Sequence, residues 1–85
     1  MGALKLLKDA VNEDPADAIT YNQLGTVLDS LGQREAAYRM LMRALECEPH
    51  LPEIHRNLKQ VASRLGRMEE ADQALAEAGV KKPVG

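Results

Sequence analysis

Two histidines, one cysteine, scattered carboxylates and a few paired arginines are the side chains of this 85-residue sequence that could do chemistry. His50 and His55 stand five apart on either side of a helix start, which is not the one-turn spacing that puts two metal ligands on a single helical face. Cys47 has no histidine at a spacing that would activate it, and it reads as a small apolar residue near a helix end. Glu69, Glu70 and Asp72 open a helix, where the macrodipole favours acids without any acid–base role. No glycine-rich phosphate loop is present. These residues point to no enzyme, no metal and no cofactor, and the remaining chemistry is recognition. Arg34, Arg39 and Arg43 form a cationic ridge with Met40 and Met42 beside them, a combination that suits adaptable contacts.

Composition narrows the partner. The net charge is -2 and the pI about 5.6, which disfavours nucleic acid or an anionic membrane, since both need a concentrated basic patch. No apolar run approaches the length of a membrane span, and a single cysteine excludes an internal disulfide framework, so a cytoplasmic setting is expected. Hydrophobic residues make up 45% and aromatics only 2%. A core of Leu, Ala, Val, Ile and Met suits packed helices better than a β-sandwich.

The elements that position these residues repeat. Pro15, Pro49 and Pro83 are spaced by 34, as are Gly32 and Gly66. Ala3, Ala37 and Ala71, then Leu7, Leu41 and Leu75, then Ala10, Ala44 and Ala78 keep the same interval, and Leu24 pairs with Leu58. Each unit reads as two amphipathic helices. Tyr21, Leu24, Val27, Leu28 and Leu31 make one apolar stripe, with Asp17 as N-cap and Gly32 at the left-handed stop. Ala37, Tyr38, Leu41, Ala44 and Leu45 make the second, ended by Glu48-Pro49. Ile54, Leu58, Val61, Ala62 and Leu65, then Met68, Ala71, Leu75 and Ala78, repeat both. The alanines mark close helix crossings, where a larger side chain would push the axes apart. Gly79 stands where the first unit has Leu45, so the last helix is expected to fray early.

Tyr21-x2-Leu24-Gly25-x2-Leu28…Ala37-x3-Leu41…Pro49 resembles the tetratricopeptide repeat, whose signature is W-x2-L-G-x2-Y…A-x3-F…P. His55-x2-Leu58-Lys59-x2-Ala62…Ala71-x3-Leu75…Pro83 is a weaker copy, with Lys59 in place of a small residue. The expected fold is therefore all-α, an α-solenoid of antiparallel helix hairpins with about five helices wound as a right-handed superhelix. Residues 1–85 form one domain, divided into a half repeat over 1–14, a full repeat over 18–51 and a degenerate full repeat over 52–85.

The resemblance implies a non-catalytic interaction or scaffold module that holds an extended peptide or partner helix in a concave groove lined by each unit's first helix. Carried onto this chain, the groove candidates are Asn22, Gln23 and Thr26, then Arg56, Asn57, Gln60 and Arg64. Asn and Gln both donate and accept, and two arginines can fork onto a carboxylate, so an acidic peptide is the expected partner. Family members that clamp chaperone C-termini use Lys and Asn across three repeats; this chain has Asn22 and Gln23 at the corresponding places and no third repeat. An array this short reads as a piece of a longer protein. The alternative is a homodimer, with apolar surface beside Leu58, Leu65 and Leu75 covered by a second copy.

Overall fold

The computed structural model describes residues 17–80. Four helices follow one another: α1 (Ala18–Ser30), α2 (Arg34–Cys47), α3 (Pro52–Leu65) and α4 (Met68–Val80). No strand occurs among the described residues. The expected half-repeat helix over 1–14, with Ala3, Leu7 and Ala10, lies outside them, as does Pro83.

Local chemistry sets each boundary. The Asp17 carboxylate accepts from Ile19 N at 3.0 Å and Thr20 N at 3.3 Å, satisfying amides that have no partner inside α1. At the other end Gly32 takes φ 82°, which lets its N–H reach Asp29 O at 3.0 Å and the Gln33 N–H reach Leu28 O at 2.9 Å. Gly66 repeats this at φ 72°, with Arg67 N bonded to Ala62 O at 2.9 Å. Both turns reverse the chain within a few residues, so α1 lies antiparallel to α2 and α3 to α4. Between the hairpins, α3 opens on Pro52, which has no N–H to leave unsatisfied at a helix start. His55 Nε2 lies 2.6 Å from the Pro49 carbonyl. A carbonyl only accepts, so Nε2 carries the proton and ties α3 to the turn before it.

The alanine columns sit where helices meet. Ala37, Leu41, Ala44 and Ala71 are fully buried, and Ala78 is nearly so. In the first hairpin Gly25 allows the closest approach: a Cβ there would stand 2.7 Å from Leu41 Cγ. Its counterpart Lys59 is exposed.

Three expectations change. Leu31 is 43% exposed rather than buried, because it is the C-cap of α1 and the backbone is already leaving the packed stripe. The last helix does not end before Gly79 but runs to Val80; Gly79 keeps a negative φ, and buried Ala78 anchors the final turn. The apolar surface expected beside Leu58, Leu65 and Leu75 is largely covered within the single chain. Leu58 has no exposure and Leu75 only 9%, while Leu65 is half-buried against the core.

Candidate peptide-binding face

Two polar ties join the first helices of the hairpins. Asn57 Nδ2 donates to Asn22 Oδ1 at 2.9 Å, and Arg64 Nη1 donates to Asp29 Oδ2 at 2.6 Å. The partners are seven residues apart on both helices and in the same order, so α1 and α3 run parallel, with rungs about two turns or 10 Å apart. A slip of one residue would break both rungs. They fix the register of stacking of α1 on α3.

The groove candidates divide by exposure. Gln23, Thr26, Arg56 and Gln60 are exposed. Thr26 donates its hydroxyl back to Gln23 O at 2.8 Å, so that oxygen can only accept from a ligand. Asn22 is buried at 7% exposure and Asn57 half-buried, each occupied by the other. Arg64 spends one donor on Asp29 while its side chain stays 43% exposed. Ile19, 62% exposed, was not singled out by sequence pattern, yet it lies one helical turn before Asn22 and Gln23. Its signal was available: an apolar residue outside the Tyr21, Leu24 and Leu28 stripe.

At the hairpin turns, Arg34 Nε lies 3.6 Å from Asp29 Oδ1, so Asp29 stands between two arginines. Nearby, Arg67 pairs with Glu35 at 3.1 Å and lies 5.6 Å from the centroid of the Tyr38 ring. Burial, with the Glu70 charge, pushes the Tyr38 hydroxyl pKa up, and Arg67 partly opposes this. Tyr38 is thus a packed neutral ring at the junction between hairpins.

On the second helices, Arg39 and Arg43 are exposed, while Met40 and Met42 pack partly against the core rather than standing free. Met42, Leu45, Ala74 and Ala78 floor a shallow cleft between α2 and α4 that Glu46 and Glu77 border. Cys47 is half-buried, and burial followed by Glu46 and Glu48 raises its thiol pKa, which disfavours the nucleophilic thiolate. Among the described residues no three His, Cys, Asp or Glu side chains converge as a metal site would need. No described helix is long and apolar enough to cross a membrane.

Comparison with known proteins agrees with this geometry. The family model described as tetratricopeptide repeat matches residues 18–50. Among solved structures, MamA of AMB-1 superposes with a TM-score of 0.76 at 28% identity, covering 89% of this chain and 42% of that one. MamA of MSR-1 gives 0.74 at 26% identity, covering 89% and 44%. The chain thus spans less than half the length of either structure. No curated protein sequence matches it. The first hairpin thus carries a tetratricopeptide-repeat match, and the helical array beyond it is similar to that of the two MamA structures.

Proposed function

We propose that the chain binds an extended peptide or partner helix on the polar face shared by α1 and α3. Tetratricopeptide repeats serve protein–protein interaction, and the face itself supports that use here. The observation that carries the reading is the pair of cross-helix rungs, which holds two helices in fixed register and leaves Gln23, Thr26, Arg56 and Gln60 exposed on a rigid platform. A platform that is already ordered loses little entropy on binding. Exposed Ile19 supplies an apolar anchor beside the polar groups, and Arg56 with Arg64 favours a carboxylate-bearing partner. A role as an interaction scaffold fits this surface.

Titration with fluorescein-labelled alternating Glu-Ala and Lys-Ala peptides tests it. The acidic peptide should bind more tightly, and Arg56→Ala or Gln60→Ala should weaken it. Equal affinity for both peptides would refute the acidic preference. For self-association, the other use of such an array, Leu65 is the most accessible of the three candidate leucines, since Leu58 and Leu75 are covered. A single monomeric species in sedimentation at micromolar concentration would count against it.

A further inference from the structure

The Arg34, Asp29 and Arg64 cluster holds one positive charge more than the stacking of the hairpins needs. Arg64 and Asp29 form the register-setting rung at 2.6 Å through one carboxylate oxygen, Oδ2. Arg34 takes no part in that rung and faces the other oxygen. At 3.6 Å from Asp29 Oδ1 its Nε is beyond hydrogen-bond reach, and that buried oxygen has no hydrogen-bond partner.

Helix electrostatics do not explain the arrangement either. Arg34 is the first residue of α2, where the macrodipole disfavours a cation, and Asp29 is in the last turn of α1, where it disfavours an anion. Only Arg64, in the last turn of α3, sits at a favourable helix end. Both guanidiniums are also accessible, with side-chain exposures of 45% for Arg34 and 43% for Arg64, against 15% for Asp29. Two half-exposed forks therefore converge on one sunken carboxylate.

We propose that Arg34 and Arg64 together receive an acidic side chain of the bound peptide, and that Asp29 is the resident carboxylate with which it competes. This rests on the peptide-binding reading of the α1 and α3 face and extends it past the groove to the turn that begins α2. Asp29 makes the site selective, because a ligand carboxylate must share or displace an ion pair already formed. It also keeps two like charges from repelling each other in the free protein.

Asp29→Asn keeps the side-chain shape while removing the competing charge. Affinity for the alternating Glu-Ala peptide at low salt should rise about threefold to fivefold, the size expected for one partly exposed ion pair. Arg34→Ala should lower affinity by a similar factor, and it leaves the Asp29–Arg64 rung in place. Thermal melts accompany each variant, so that a folding defect in Asp29→Asn leaves Arg34→Ala as the deciding arm. Peptide binding that depends on Arg56 and Gln60 but ignores both substitutions would overturn the resident-competitor site and leave the face reading standing. No binding of the acidic peptide by wild type or Asp29→Asn would overturn both.

Discussion

Replacing Gly25 by Ala tests the packing that positions the binding face. A Cβ at residue 25 would lie 2.7 Å from Leu41 Cγ, 2.9 Å from Leu41 Cδ2 and 3.3 Å from the Ala37 carbonyl oxygen. Carbon pairs rest at about 3.5–4.0 Å, so α1 must move away from α2 by several tenths of an ångström or Leu41 must leave its rotamer. Cγ is the branch point of a fully buried side chain, not a flexible tip, and cannot swing aside cheaply. Overpacking of this kind costs about 1–3 kcal/mol. Helix propensity offsets about 1 kcal/mol of that, since Ala is the better helix former. The net expectation is a loss of up to about 2 kcal/mol, or up to about 15 °C in melting temperature for a domain of this size. Circular dichroism melts measure it. Lys59→Ala, at the exposed counterpart, should stay within about 0.5 kcal/mol of wild type. In a Leu41→Ala background, itself lower by about 2–5 kcal/mol, the same Gly25 change should become neutral or stabilising. A Gly25→Ala protein that melts at or above the wild-type temperature would refute the close crossing.

Other outcomes follow from single contacts. Asn57→Ala leaves the buried Asn22 Oδ1 without its donor and should cost about 1–2 kcal/mol in chemical denaturation, with most of that loss absent when Asn22 is also replaced by Ala. Hydrogen bonds from the Thr20 side chain and backbone, with a further backbone bond from Ile19, hold the Asp17 pKa below its ordinary 3.8. The stability it contributes is therefore fully present above pH 3.8 and is lost as pH falls through the lower folded value. The difference in melting temperature between wild type and Asp17→Asn should accordingly shrink as pH is lowered below 3.8. Because burial raises the Cys47 thiol pKa above 9.0, iodoacetamide should alkylate it more slowly at pH 8 than it alkylates a cysteine tripeptide.

The sequence revealed the fold through residues whose type has one steric cause. Gly32 and Gly66 recur because both turns need a left-handed residue, and Ala37, Ala44, Ala71 and Ala78 recur because helices meet there. The binding face was less legible. Groove positions could be carried over from the repeat, but not the fact that Asn22 and Asn57 consume each other or that Arg64 is paired. Those ties join residues 35 apart, one beyond the repeat period, so aligning the repeats in columns sets the partners side by side without pairing them. Leu31 misled for a related reason. Periodicity continues a stripe through a residue at which the helix has already ended.

A nuclear magnetic resonance titration of the nitrogen-labelled chain with the Glu-Ala peptide tests the proposed function most directly, because amide shifts locate the ligand without any substitution. We expect the largest changes along α1 and α3, at Ile19, Gln23, Arg56 and Gln60, continuing to Arg34. Changes confined to the α2 and α4 cleft around Met42 and Ala74, or no changes at millimolar peptide, would contradict it.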